Sequence, residues 1–424
     1  MHVAILGNGV TGVSAALELR RRRPEWRITL ISGESRHHWS RPALMYIFMG
    51  HMRYQDTKPF PDSFWGQQKI ELLRGWVTRI DGGARRLELA DGAALGWDRL
   101  LLATGSRPNR FGWPGQDLDG VQGLYGLPDL LQLYETTKRT RRAVIVGGGL
   151  IGIELAEMLV SRNIPVTFLV RERSYWDNVL PAEESAMVNR VVRRHGLGLE
   201  LATELGAVED DGRGRCAAAV TADGRRFPCE LVGLTAGVSP NLAVVEGSGI
   251  ETGRGVLVDS RLATSLPGVW AAGDCAEIVT PEGERNLIQQ VWYTGKMQGE
   301  TAAANIAGEE RDYDPGIWFN SAKFFDLEYQ TYGRVNFDVP GERNLYWEHP
   351  SHRHAARVVL SSEGSVIGLQ TMGLRWRHQV AERWIAEARP ADEALASLPE
   401  LAFDPELHRR YEGEMRGVLE EQLS

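Results

Sequence analysis

Three glycines, Gly7, Gly9 and Gly12 in the run GNGVTG, have the spacing that brings a backbone against a pyrophosphate. Gly7 permits a tight turn, Gly9 lets the main chain approach the phosphates, and Gly12 lets a helix pack closely on a strand. Gly147, Gly149 and Gly152 repeat the spacing in VIVGGGLIGIELA. Two such turns, about 140 residues apart, are too distant to serve one dinucleotide and imply two. Glu34 stands 22 residues beyond Gly12, where an acid accepts hydrogen bonds from the hydroxyls of an adenosine ribose. Asp274, in VWAAGDCAE, follows an apolar run and sets a carboxylate at a strand's carboxyl end, the side on which open α/β sheets bind ligands. Arg171 and Arg173 occupy the place in the second unit where an acid would mark an NAD site. Two guanidinium groups suit a 2′-phosphate and favour NADPH over NADH, while Glu172 between them can serve a ribose instead. His37 and His38 have no further ligand at metal-like spacing, and a metal site is rejected.

The elements that must position these residues read clearly. HVAIL is a strand leading into the first turn, and VSAALELRRRR after it is a helix whose arginines, Arg20 to Arg23, complement the carboxyl end of its dipole. WRITLISGES is a second strand. ELLRGWVTRI and RRLELA, joined by Asp81-Gly82-Gly83, read as a hairpin of alternating runs. The strand WDRLLLATGS ends in Ala103-Thr104-Gly105, small residues that let the main chain pass close to a ligand, and a Gly- and Pro-rich linker follows to about Asp117. TAGVSPN at Thr235–Asn241 repeats the ATGSRPN of the first half, which reveals an internal duplication. VWYTGKMQGETAAANIAG is a helix with small residues suited to packing on the first unit. From Tyr313 onward, aromatic-rich strand patterns are followed by the helical patterns HQVAERWIAEARPADEALASLPEL and PELHRRYEGEMRGVLEEQ, the order of an α+β domain. Trp384, Ile385, Leu395 and Leu398 pack on their own domain or cover a dimer face, and Arg375, Arg377 and His378 either steer an acidic partner or begin a solvated helix.

The chain has 424 residues, 43% hydrophobic and 25% charged, with a net charge of −8. This acidity argues against general affinity for nucleic acid. No apolar stretch reaches the roughly 18–20 residues of a membrane span, and the first strand leaves no room for a removable signal peptide, so the expected location is cytoplasmic. Cys216, Cys229 and Cys275 form no CxxC or other close pair in sequence, as suits a reducing compartment.

Together GNGVTG, LLATGSRPN, VIVGGGLIGIELA, TAGVSPN and VWAAGDCAE, in this order over residues 3–277, resemble the FAD-dependent pyridine nucleotide-disulfide oxidoreductase superfamily. The resemblance implies an α/β fold of two Rossmann-like, glutathione-reductase-like domains plus a carboxyl-terminal α+β domain. It implies an FAD-binding domain at 1–115, an NAD(P)H-binding domain at 116–245, the rest of the FAD domain at 246–312 and the last domain at 313–424. Cofactor contacts are implied at Gly7, Gly9, Val10, Thr11, Gly12 and Glu34, then at Arg41, Pro42, Val77, Ala103, Thr104 and Gly105. The second cofactor is implied at Gly147, Gly149, Ile151, Gly152, Glu154, Arg171 and Arg173, with Gly237, Gly273, Asp274 and Trp292 completing the set.

Within the superfamily, SRPALMYIFMG at Ser40–Gly50 resembles the Arg-Pro segment of ferredoxin, rubredoxin and nitrite-type reductases. Disulfide reductases carry a cysteine pair there, and this chain has no cysteine before Cys216. Dithiol exchange and sulfenate chemistry need a thiolate beside the flavin and are disfavoured. Tyr46 stands where ferredoxin reductases place a lysine paired with the glutamate matching Glu154, and Asn320 stands where they place a tryptophan. Glu154 and Tyr46 are the residues expected to shape the flavin's surroundings. The expected activity is an FAD-dependent NAD(P)H oxidoreductase that passes electrons to a small redox protein, rubredoxin- or ferredoxin-like, without a redox disulfide. The alternatives are an NAD(P)H oxidase or quinone reductase, and a redox-sensing flavoprotein with little turnover. A homodimer is compatible with the pattern.

Overall fold

The computed structural model describes residues 1–281, 286–337, 339–403 and 409–424. Residues 405–408 of the expected last helical pattern lie outside them. The chain divides into two compact units, one formed by Met1–Asn109, Tyr125–Tyr134 and Gly237–Pro315 and the other by Arg110–Leu124, Glu135–Ala236 and Gly316–Ser424.

The first unit is built on a five-stranded parallel sheet in the order Val269–Ala271, Arg99–Leu102, His2–Leu6, Arg27–Ser32, Ile70–Arg74. The central strands are apolar on both faces: Val3, Ala4, Ile5 and Leu100–Leu102 are fully buried. Each such Ile or Leu contributes ~1.5–3 kcal/mol of burial, which explains near-continuous apolar runs where a half-exposed strand would alternate. The helix Val10–Arg22 crosses the helix Trp292–Ile306, and small residues set their approach. A methyl group at Gly295 or Gly299 would run into Thr11.

ELLRGWVTRI is two strands. Ile70–Arg74 joins the parallel sheet, whereas Val77–Asp81 pairs antiparallel with Arg86–Leu89 in the expected hairpin. The chain turns between them at Gly75, whose N–H donates to the Ser32 carbonyl at 3.0 Å. A side chain there would strike Leu89. The two copies of the duplicated turn meet each other, Ser106–Pro108 pairing antiparallel with Val238–Pro240.

The second unit has its own five-stranded parallel sheet, in the order Gly198–Glu200, Val166–Leu169, Ala143–Val146, Leu231–Leu234, Val121–Gln122. A three-stranded antiparallel sheet of Leu205–Asp210, Cys216–Thr221 and Arg226–Pro228 packs beside it. Cys216 and Cys229, well separated in sequence, meet here, their free thiols 3.9 Å apart in the buried core. Residues 13 apart along the chain are brought together by the antiparallel turn between them, which sequence spacing alone does not reveal.

The carboxyl-terminal part of this unit carries a five-stranded antiparallel sheet in the order Phe319–Phe324, Leu327–Gly333, Val366–Met372, Ala355–Leu360, Arg343–Glu348. The helices His378–Ala386, Ala391–Ala396 and Glu412–Leu423 cover it. Trp384, Leu395 and Leu398 are buried in this core and Ile385 packs against it, so these positions face their own sheet. The Arg375 guanidinium is paired with Glu328, and His378 packs on Phe319 and Tyr332.

Candidate functional site

A cavity of about 890 Å³ lies in the first unit across the carboxyl ends of its parallel strands. Its walls follow the strand order. Gly7 to Thr11 line the centre, after the strand His2–Leu6. Ser32, Gly33 and Glu34, then Arg74 to Thr78, line one flank; Ala103 to Ser106, Ala272, Asp274 and Gln290 to Trp292 line the other.

Each central glycine has a steric reason. Gly7 has φ +120° and a methyl there would strike the Ala103 carbonyl, while one at Gly12 would strike the carbonyl of Gly7. Gly9 has open space where its Cβ would be. It caps the helix Val10–Arg22 with no side-chain hydrogen bond, so the helix presents its amino-terminal N–H groups and positive dipole end to the cavity.

The two carboxylates stand on opposite flanks. Glu34 receives the Arg41 guanidinium, Nη2 to Oε2 at 2.6 Å and Nη1 to Oε1 at 3.3 Å, and the Leu127 N–H at 2.9 Å. Arg41 also donates to the Tyr125 carbonyl at 2.6 Å and lies over the rings of Trp39 and Tyr125. Asp274 is half-buried and accepts a 2.8 Å hydrogen bond from Ser106 Oγ. Burial raises its pKa, against the Ser106 hydrogen bond and the Arg41 charge. The Tyr125 hydroxyl accepts the Ser106 N–H at 3.1 Å, which fixes that serine beside Asp274. His38 also lines the wall; its Nδ1–H donates to the Asn8 carbonyl at 2.8 Å, and burial lowers its pKa. Among the described residues no group of three or more His, Cys, Asp or Glu forms a metal-binding cluster.

A second glycine turn occupies the corresponding place in the second unit. Gly147 has φ +118° and sits against the Thr235 carbonyl, and Gly149 caps the helix Leu150–Val160 without a side-chain hydrogen bond. The buried Tyr175 donates its hydroxyl to the Gly149 carbonyl at 2.9 Å and so supports the turn from below. Beyond the strand Val166–Leu169, Arg171 and Arg173 are exposed, and Arg171 is paired with Glu172 at 2.8 Å. In the same helix as Ile151 and Gly152, Glu154 is half-buried and desolvation pushes its pKa up to about 7, with Glu157 reinforcing and Lys323 opposing.

Residues 1–303 match the family described as pyridine nucleotide-disulphide oxidoreductase. The chain belongs to this family. It is 33% identical over 369 residues to the 5,5'-dehydrodivanillate O-demethylase ferredoxin reductase subunit of Sphingobium sp. strain SYK-6, covering 86% of this chain and 88% of that protein. It is 32% identical to the biphenyl dioxygenase system ferredoxin–NAD(+) reductase component of Paraburkholderia xenovorans, covering 72% of this chain and 75% of the relative. The crystal structure of the ferredoxin reductase for the CYP199A2 system from Rhodopseudomonas palustris superposes with a TM-score of 0.80 at 26% identity, over 88% of this chain and 91% of that one. Like the oxidoreductases of its family, the protein is an FAD-dependent NAD(P)H oxidoreductase.

In this pyridine nucleotide-disulphide oxidoreductase, the cavity brings together Gly7, Gly9, Val10, Thr11, Glu34, Arg41, Pro42, Val77, Ala103, Thr104, Gly105, Asp274 and Trp292. Gly12 and Gly273 stand just behind the wall and shape it, Gly273 with φ +78° against Thr11. Tyr46, in the helix Leu44–Phe48, is half-buried and lies outside the wall, its ring 6.2 Å from that of His51. Gly237 belongs to the first unit, its carbonyl accepting the Asn109 N–H at 3.0 Å. No cysteine lines the cavity; Cys275 is buried behind it beside the carbonyls of Leu102 and Ala272. Trp76, Tyr125 and His38 belong to the wall without a sequence motif to mark them, and Ser106 belongs to it from within LLATGSRPN, where only Ala103, Thr104 and Gly105 were singled out. The glycine before Trp76 was the one available signal, since it breaks an otherwise continuous strand pattern.

Proposed function

We propose that FAD occupies the cavity of the first unit and that NAD(P)H binds at the glycine turn of the second, with electrons leaving to a small ferredoxin- or rubredoxin-like protein. The observation that carries this reading is the cavity's layout: an uncapped helix terminus at its centre and an acid on either flank. The walls suit the cofactor. The open space at Gly9 admits a pyrophosphate, and Gln290 Nε2 is buried with no protein hydrogen-bond partner among the described residues, a donor available to a ligand. The proposed domains are 1–115 with 246–312 for FAD, 116–245 for NAD(P)H, and 313–424 at the carboxyl end. When bound, FAD would supply the redox chemistry, linking a two-electron hydride donor to a one-electron acceptor.

The chain's own residues bind and orient. The amino end of the helix Val10–Arg22 neutralises pyrophosphate charge. Glu34, held by Arg41, accepts ribose hydroxyls through its remaining lone pairs. Asp274, oriented by Ser106, serves the ribityl and phosphate region. Arg171 and Arg173 take the nucleotide's 2′ side, with Glu172 competing for Arg171. The relatives above are ferredoxin reductases, which supports the acceptor class. Among the described residues no helix is long and apolar enough to cross a membrane. Cys216, Cys229 and Cys275 are free thiols even where Cys216 and Cys229 meet, which supports a cytoplasmic location. Anaerobic titration of the purified protein with NADPH and, separately, NADH tests the hydride route by loss of flavin absorbance. Rapid bleaching followed by reoxidation with ferredoxin is the expected result; slow bleaching with both nucleotides overturns it.

A further inference from the structure

The strand order fixes which half of a dinucleotide lies where. Pyrophosphate at Gly7–Thr11 is central, Asp274 and Trp292 stand beyond Arg99–Leu102, and Glu34 stands beyond the opposite neighbour, Arg27–Ser32. With a ribose at Glu34, the base attached to it must extend over the next strand on that side, Ile70–Arg74. The residue waiting there is Trp76, an indole 63% exposed that lines the cavity.

This ring is not a loose surface side chain. Its backbone is anchored on both sides, Gly75 N–H to the Ser32 carbonyl at 3.0 Å and Ala90 N–H to the Trp76 carbonyl at 2.8 Å. The benzo edge of the indole rests on Gly33, where an added methyl would overlap Trp76 Cε3. One edge is therefore held by the strand end that precedes Glu34, while much of the ring is left uncovered. Isolated exposed aromatics are ordinary on protein surfaces, but this one is preset against the wall of a ligand cavity. Indole faces stack on purines through dispersion and π-contact without selecting a hydrogen-bond pattern.

We propose that Trp76 is the adenine-stacking residue of this protein and that Gly33 is required to seat it, so that the pair sets the preference for the dinucleotide FAD over the mononucleotide FMN. The inference rests on the cofactor reading above and names a residue contact beyond it.

The test uses purified holoenzyme for flavin release, and the same protein after flavin removal for rebinding of FAD and FMN, followed by flavin fluorescence. W76A is expected to weaken FAD about tenfold while leaving FMN affinity unchanged, and W76F to restore most of the loss. G33A is expected to reproduce the W76A effect by displacing the indole, and the double variant to add nothing further. Equal losses for FAD and FMN in W76A, or unchanged FAD affinity in both W76A and W76F, overturn the stacking role. Circular dichroism and W76F guard against a folding defect read as a binding one. Wild-type protein that binds no FAD, or G12A protein that binds it as tightly as wild type, overturns the cofactor reading itself and is distinguishable from failure at Trp76.

Discussion

Arg41 and Glu34 form a two-pronged ion pair at the cavity wall, with separations of 2.6 and 3.3 Å, and the same guanidinium reaches the Tyr125 carbonyl at 2.6 Å. The pair ties the segment after the first strand crossover to Tyr125–Asp129, whose turn is closed by Asp129 accepting the N–H groups of Tyr125 and Gly126. Arg41 thus holds the acid in a fixed rotamer and holds the loop that carries Tyr125.

Replacing Arg41 with alanine is expected to raise the FAD dissociation constant about tenfold, because a charge-assisted fork that orients the acid is lost. Stability should change by less than ~1 kcal/mol, since the pair is partly solvated. Arg41→Lys should recover little, as an ammonium cannot make the planar two-point contact. Flavin release from the holoenzyme and thermal unfolding measure the two effects separately.

The Arg171–Glu172 pair is expected to govern nucleotide choice in the second unit. Glu172→Gln should free Arg171 for a 2′-phosphate and shift the ratio of kcat/KM values for NADPH over NADH upward by about threefold to tenfold, the modest scale of an exposed charge pair. Removing both Arg171 and Arg173 should lower the NADPH value while sparing NADH. Steady-state kinetics with each nucleotide decide this, and no change in the ratio in either variant would remove these arginines from the site.

Glu154 carries a pH signature. Unfolded, its carboxyl titrates near 4.5; folded, burial raises it to about 7. Between these values the folded chain binds the extra proton, so this group's contribution to stability decreases as pH rises through the window and is constant above it. The full loss is roughly 3 kcal/mol. Urea unfolding across pH 4.5–7 should show this negative slope in the wild type, and Glu154→Gln should flatten it.

A buried pair elsewhere in the second unit is expected to dominate its mutational sensitivity. Arg357 Nε and Nη2 hold Glu184 at 2.8 and 2.9 Å, and the two side chains are 5% and 1% exposed. Arg357→Ala leaves Glu184 buried without its cation and should cost about 3–5 kcal/mol. Arg357→Met combined with Glu184→Gln should recover much of that loss in denaturant unfolding.

The glycine turns were legible because their constraint is local: strand, turn and helix follow one another, and the backbone conformation that Gly7 and Gly147 need is favourable only to glycine. Asp274 was legible for a similar reason, as a carboxylate directly after an apolar strand. The duplicated TGS and AGV turns were visible as sequence, but their antiparallel pairing was not.

Residue types and short-range spacing by themselves determined two nucleotide units, the glycine turns, the acids on the first unit's strand ends and the lack of a thiol before Cys216. Only the tertiary structure decided that Glu34 is shared with Arg41 and Leu127, that Ser106 and Tyr125 orient Asp274, that Cys216 meets Cys229, and that Trp76 rests on Gly33. These pairs join residues from different strand ends and loops. Their meeting depends on sheet order and on the closure of long chain segments, and a linear pattern of residue types encodes neither.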